Sequence, residues 1–301
     1  MSELRIELQK HVLPIVVALP DGCIECIGTG FISFANGRQA HLVTAAHIID
    51  QIRRIDRPRS RHDPSTPDVF RTIVYRFELK QANPKAIFFD GSTAHAATIE
   101  AAVEMSKTDI ALCSIRLDES VPPNVCFTSR LVFDTTPIVK GESIIPIGYA
   151  PMKARCLSST EFAFDANWNS NKGNVVEVYA NGGPTGQKGP CFAVDVPFKA
   201  GMSGGPVFTW DDRVPYVRGF VMKGEERIVD NADVTPFSLA GMIWPLMLMP
   251  VDLPNRDGSL RSERCLLDLE REGSLIDKGN AHDHVRLTRG DDLQIASARW
   301  E

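Results

Sequence analysis

Turn signals recur about every ten residues along most of this chain, and the segments between them are short, apolar and rich in β-branched side chains. That pattern argues for an all-β protein of barrels or sandwiches. Residues 12–19 form the first such segment, Asp21-Gly22 turns the chain, and residues 23–34 form the second, interrupted by Gly28 and Gly30. Asn36-Gly37 is a hairpin signal followed by a return strand at 39–44. The composition of 53–68, rich in Arg, Pro, Ser and Asp, predicts a surface loop, after which strands resume at 72–79, 86–89, 94–100 and 110–116.

Pro122, Pro123 and Asn124 punctuate the sequence, so we place a boundary there: residues 1–125 form one β domain and 126–250 a second. Strand-like runs in the second half lie near 131 and at 143–148, 162–164, 175–180, 192–196, 207–210, 217–221 and 237–244, with a loop at 181–189. Residues 251–301 differ in character. Leu266, Leu267 and Leu269 among charges predict a short helix over 262–271, and the polar stretch 278–301 reads either as a loosely held tail or as one added strand at 293–296.

At 301 residues and 43% hydrophobic content, the chain can bury a substantial core. Its 33 basic against 38 acidic side chains leave a net charge of -5, which gives no electrostatic reason to expect nucleic acid or an anionic membrane as partner. The basic cluster from Arg53 to Arg61 reads as a solvated loop. Neither a signal peptide nor an apolar run of about 18 residues is visible, and seven scattered cysteines suit free thiols in a reducing compartment. The expectation is a soluble, cytoplasmic protein. Cys23 and Cys26 form a CxxC pair, but no second pair or histidine cluster completes a zinc set, so neither metal nor cofactor is expected.

The chemically suggestive stretch is Gly201-Met202-Ser203-Gly204-Gly205-Pro206. Glycines on both sides let a serine stand on a sharply bent backbone with its hydroxyl exposed and with room for a carbonyl to reach nearby N–H groups. Taken alone, the stretch is equally a glycine-rich turn between strands. A nucleophilic Ser203 needs a general base. Of seven histidines, His47 stands out, because it ends the apolar run 42–49 where small residues bring the backbone close and an imidazole can emerge at a strand end. That base needs an orienting carboxylate, and Asp109 immediately precedes the apolar strand 110–116, where an unpartnered charge would be costly.

Thr44-Ala45-Ala46-His47, Thr108-Asp109-Ile110-Ala111-Leu112 and Gly201–Pro206 occur in the order His, Asp, Ser, and this set resembles the chymotrypsin/trypsin-like serine protease family, as does Gly28-Thr29-Gly30-Phe31-Ile32. The resemblance covers residues of about 12 to 250. It implies two six-stranded antiparallel β-barrels, followed here by the short C-terminal helix and tail, with the active site in the cleft between the barrels. His47 and Asp109 would come from the first barrel and Ser203 from the second; the N–H groups of Gly201 and Ser203 would form the oxyanion hole. Such a site hydrolyses peptide bonds through an acyl-enzyme, with a protein or peptide as substrate.

Three departures from the secreted members matter. Met202 stands where zymogen-activated enzymes carry an aspartate that pairs with a newly cut N-terminus, so activation by N-terminal processing is not expected. The family's disulfide cysteines beside the histidine and in the serine loop are missing, which fits a cytoplasmic, bacterial-type protein. The primary specificity pocket would be bounded by Pro197 and Phe198 on one side and Val221, Met222 and Lys223 on the other; none supplies an acid, so an apolar or small residue is expected before the scissile bond, unless Glu225 or Glu226 reaches in.

Two further readings stand beside a constitutive endopeptidase. One is a catalytically silent protease-like module that binds a peptide or protein partner. Between the two lies an enzyme inactive until a regulatory protein orders the loops around Gly201. An α/β-hydrolase is disfavoured: Gly201–Gly205 satisfies its Gly-x-Ser-x-Gly elbow, but no helix follows and the order of the partners is wrong.

Overall fold

The computed structural model describes residues 7–56, 72–77, 82–91, 93–105, 108–128, 131–156, 162–183, 189–211, 214–226, 236–251, 264–289 and 295–300. In chain order the elements are β1 (Val12–Ala18), β2 (Ile24–Asn36), β3 (Gln39–Ala45), α1 (Ala46–Asp56), β4 (Thr72–Arg76), β5 (Asn83–Asp90), β6 (Thr93–Met105) and β7 (Ile110–Leu117). Then come β8 (Val132–Phe133), β9 (Ser143–Cys156), β10 (Phe162–Ser170), β11 (Gly173–Tyr179), β12 (Cys191–Val194), β13 (Pro206–Asp211), β14 (Val214–Glu226) and β15 (Pro236–Met242). A 3-10 turn at Trp244–Leu248, α2 (Leu266–Arg271), α3 (Ala281–His284), β16 (Val285–Arg289) and β17 (Ile295–Trp300) complete the chain.

Pairing in the order β6-β5-β1-β2-β3-β7, closed by β6 on β7, makes the first six-stranded antiparallel barrel, with β4 as an extra edge on β6. The order β9-β11-β12-β15-β14-β13, closed by β13 on β9, makes the second. Closure removes the open edges that would otherwise invite aggregation. Each barrel is filled from inside, the first by residues such as Phe31, Leu42 and Ile115, the second by Ile144, Phe192, Val207 and Val221. Burying a side chain of this size contributes about 1.5–3 kcal/mol. The hairpin between β2 and β3 forms where Asn36-Gly37 was read, but Asn36 pairs with Gln39, so Gly37 opens the two-residue loop with φ +62.

Two segments outgrow their barrel. Residues 147–156 of β9 pair with β10, and from about Ala150 onward this hairpin extends away from the barrel pairings as an arm. Of the stretch 278–301, read as a tail or as one added strand at 293–296, a strand is observed as β17. Residues 278–285 pack back on the second barrel, through Lys278 N donating to Phe133 O and through the buried Ala281 and Val285. There Asp277 is a buried carboxylate that accepts from Thr135 N, Thr135 Oγ1, Gly279 N and Ala281 N, while β16 and β17 form their own antiparallel pair. The helix read over 262–271 is observed as α2, starting after Cys265; residues 262–263 lie outside the described set.

The loop read over 53–68 is corrected at its start. Residues 46–56 form α1, with Ile48, Ile49 and Ile52 buried on one face and Arg53 paired with Asp50 at 2.8 Å on the other; 57–68 lie outside the described residues. The spacing of those isoleucines is helical rather than strand-like. His47 therefore sits in the first turn of a helix, not at the tip of a strand.

Candidate active site

The first turn of α1 has N–H groups with no partner inside the helix, and Asp109 supplies one from the start of β7. Its carbonyl accepts from Ala46 N at 2.9 Å, and its Oδ1 accepts from His47 N at 3.0 Å. The other carboxylate oxygen, Oδ2, lies 2.9 Å from His47 Nδ1. One aspartate thus caps a helix, favoured there by the helix dipole, and holds the imidazole by the nitrogen that faces away from solvent. The Asp109 side chain is 14% exposed and that of His47 43%, so the acid is shielded while the Nε2 edge of the ring stays open.

The second barrel brings the serine loop to this pair. Ser203 O accepts from Thr29 N at 2.8 Å, and a Cβ placed on Gly204 would fall 2.2 Å from both Thr29 O and Thr44 Oγ1 and 2.8 Å from Ala45 N. Gly204, with φ +84, is therefore flush against the end of β3, two residues before His47. Any side chain there would push the barrels apart. Gly204 N also donates to Val221 O at 2.7 Å, tying the loop to β14.

The preceding turn is equally constrained. Met202 N donates to Lys199 O at 3.0 Å, and Gly201 at the third position has φ +102, the pattern of a type II turn. Among the described hydrogen bonds none uses the N–H of Gly201 or Ser203, so both remain available to an oxygen outside the chain. Met202 is buried with Phe198, Val194 and Ile138 in the second barrel's core, and its backbone lies where a Cβ on Gly148 would come within 2.9 Å. An apolar anchor holds the turn here.

Thr29 is a positioning residue that the motif reading did not single out. Fully buried, its Oγ1 donates to Gly201 O at 2.7 Å and accepts from Tyr149 N at 3.1 Å, while its carbonyl accepts from Thr44 Oγ1 at 2.8 Å. One threonine of the first barrel thus pins the serine turn, β9 and β3 together. The only hint in the sequence is its place between Gly28 and Gly30, where small neighbours allow close approach of Ile48 and Leu42.

The Ser203 hydroxyl donates to Met222 O at 3.3 Å rather than to His47. The pocket residues are partly dispersed. Pro197 and Lys223 are exposed near the cleft, and Phe198 is buried with its N–H bound to Ser238 Oγ at 2.8 Å. Val221 is corrected: its side chain belongs to the barrel core with Ile144 and Phe192 and does not line a pocket. Met222 is buried behind Asp109 and turns its carbonyl to Ser203. A Cβ on Gly224 would lie 2.6 Å from Phe198 O, so the two walls nearly touch and leave no space for a bulky side chain between them. The side chains of Glu225 and Glu226 lie outside those described.

A shielded carboxylate holding an imidazole, a hydroxyl on a glycine turn beside it, and two free N–H groups are together equipped for nucleophilic acyl transfer. Among the described residues no group of His, Cys, Asp and Glu could hold a metal ion, and no helix is long and apolar enough to cross a membrane. The family model of the trypsin-like peptidase domain matches residues 28–214, which include all three side chains. Among curated proteins none matches. Solved structures similar to this chain include the active form of the Rv3671c protease from M. tuberculosis, at 18% identity and TM-score 0.42 over 79% of this chain and 78% of that one. Another is the apo MamO protease domain from Magnetospirillum magneticum, at 12% identity and TM-score 0.45 over 78% of this chain and 93% of that one.

Proposed function

This chain belongs to the family of trypsin-like peptidase domains, and on that premise we propose that it is a serine endopeptidase acting through His47, Asp109 and Ser203. The observation that carries the reading is the double grip of Asp109 on His47, through the ring and through the backbone, directly beside the docked Ser203-Gly204 backbone. With a scissile carbonyl in place, Ser203 Oγ turns from Met222 O toward the carbonyl carbon and gives its proton to His47 Nε2. Asp109 stabilises the imidazolium and keeps Nδ1 as the donor. The oxyanion is received by the N–H groups of Gly201 and Ser203, and His47 then protonates the leaving amine. An ester between Ser203 and the substrate remains until water attacks it by the reverse sequence.

The near contact of Gly224 with Phe198 supports a small residue before the scissile bond. Met202, uncharged and buried, could not pair with a new N-terminus, so control by N-terminal cutting is not part of the proposal. We place the enzyme in a reducing, cytoplasmic setting, acting on a narrow protein substrate or under a regulatory partner.

One observation favours a second reading, a module that binds peptide without cutting it, or that waits for a partner: the Ser203 hydroxyl is directed at Met222 O. Pre-steady-state hydrolysis of an activated ester separates the two. The endopeptidase gives a burst stoichiometric with protein in the wild type and none in Ser203→Ala; no burst in the wild type, alone or with added peptide, would sink the endopeptidase reading.

A further inference from the structure

A groove of about 770 Å³ opens between β2 and the β9–β10 arm. Ile24 and Cys26 from β2 and Met152 and Phe164 from the arm give it a half-buried apolar floor. Met152 also joins it to the candidate active site, since a Cβ on Gly201 would meet the Met152 methyl at 3.1 Å. Both long walls are strand edges. In the described pairings, residues 24–27 of β2 bond only β1 and residues 152–155 of β9 bond only β10, which leaves the groove-side edge of each without a partner strand.

The rim is cationic. Lys153 and Arg155 are exposed groove-lining residues, and neither has an ion-pair partner among the described residues. Asp165 stands opposite Lys153 in the β9–β10 register without bonding it, so the three charges sum to +1 on a chain whose net charge is -5. Glu25, between Ile24 and Cys26 on β2, is exposed and is not among the residues that line the groove. Open edges suit an extended peptide, an apolar floor suits alternate side chains of that peptide, and unpaired cations suit acidic side chains between them.

We propose that this groove binds an extended, acidic stretch of polypeptide, namely the part of a protein substrate that follows the scissile bond. The proposal rests on the endopeptidase reading for its substrate but not for its binding chemistry. Chain preceding the bond would run along 222–224 past Phe198, and chain following it leaves across Met152 into the groove.

Cleavage of a proteome-derived peptide library tests this, with the new N-termini sequenced. Asp and Glu are expected to be enriched in the first few positions after the cut, and a folded Lys153→Glu/Arg155→Glu variant is expected to lose that enrichment, with kcat/KM on acidic peptides falling about five- to tenfold. Cleavage with no acidic enrichment, or with enrichment unchanged in the double variant, overturns the groove assignment. If the wild type cleaves nothing, the endopeptidase reading fails, and fluorescence anisotropy of Ser203→Ala with labelled peptides of alternating Glu and Val or Lys and Val decides the groove separately. The acidic peptide is expected to bind more tightly, less so at high salt, and about five- to tenfold more weakly to a protein also carrying the two reversals; equal binding of both peptides overturns it.

Discussion

The two barrels contribute to the cleft in different states of readiness. In the first, His47 is fixed by its ring and its backbone to one carboxylate, and that carboxylate is fixed by capping α1. In the second, the backbone of the serine turn is fixed as firmly, by Thr29, Val221 and the Lys199–Met202 turn, but the hydroxyl of Ser203 is aimed at Met222 O. Under the endopeptidase reading, the second half still requires the Ser203 hydroxyl to turn from Met222 O toward His47. The arm, the turn and the cleft meet on the serine side: Lys199 Nζ reaches Asn169 Oδ1 at 2.6 Å, and the Met152 methyl lies where a Cβ on Gly201 would come within 3.1 Å.

Removing the acid–base half should have the largest effect. Asp109→Asn is expected to lower kcat about 10³- to 10⁴-fold, because the amide cannot stabilise the imidazolium, and also to reduce stability, because the N-terminus of α1 loses an ionised cap. A kcat within tenfold of wild type would mean that the grip on His47 serves only the helix. On the serine side, Gly201→Ala attacks the turn without touching a reacting side chain. The φ of +102 is strained for alanine and its Cβ would meet Tyr149 O, so the turn should flip and withdraw the Gly201 N–H, costing about 10²- to 10³-fold in kcat with KM little changed.

Thr29→Val sharpens the comparison, because it cuts the link between the halves while keeping the shape. Loss of the bonds to Gly201 O and Tyr149 N in a dry seam is expected to cost about 1–3 kcal/mol of stability. A merely structural role predicts lower melting temperature with normal kcat; a positioning role predicts kcat about tenfold lower even well below the melting temperature, with Thr29→Ser restoring most of it.

A smaller, pH-dependent effect is tied to His11, outside the cleft. Burial pushes its pKa down, against an opposing hydrogen bond with the Thr128 backbone and the nearby Glu7 charge. The unfolded chain then binds a proton that the folded chain refuses, so stability is full above about pH 6.5 and declines as pH falls through that value. His11→Gln should flatten this decline in thermal melts followed from neutral to mildly acidic pH. Reducing agent should have the smallest effect of all. Among the described residues no cysteine is in a disulfide, and burial pushes the Cys191 thiol up to about 11, so melting temperatures with and without reductant should coincide.

Most strands of both halves were legible because apolar runs and turn residues are local signals, but their closure into two six-stranded barrels came only with the resemblance that the three motifs carry. Helix α1 was not: an apolar run such as 42–49 satisfies strand and helix alike, and what selects the helix is Asp109, which lies 62 residues away and caps it. The same distance hides Thr29, whose hydroxyl partners are 172 and 120 residues away. The C-terminal packing escaped for another reason. Its anchor is a buried aspartate, Asp277, and a polar residue in a polar stretch carries no sign of burial. The three motif residues were legible because glycine turns and a charge before an apolar strand need special explanation on sight, whereas pocket residues such as Val221 depend on which face of β14 turns inward.

The central claim is that His47, oriented by Asp109, activates Ser203. Labelling with a fluorophosphonate, followed by mass spectrometry of the modified peptide, measures it directly. A single adduct on Ser203 in the wild type, formed at least about 10²-fold more slowly in His47→Ala, is the predicted result. An unlabelled Ser203, or labelling equally fast without the histidine, would contradict it.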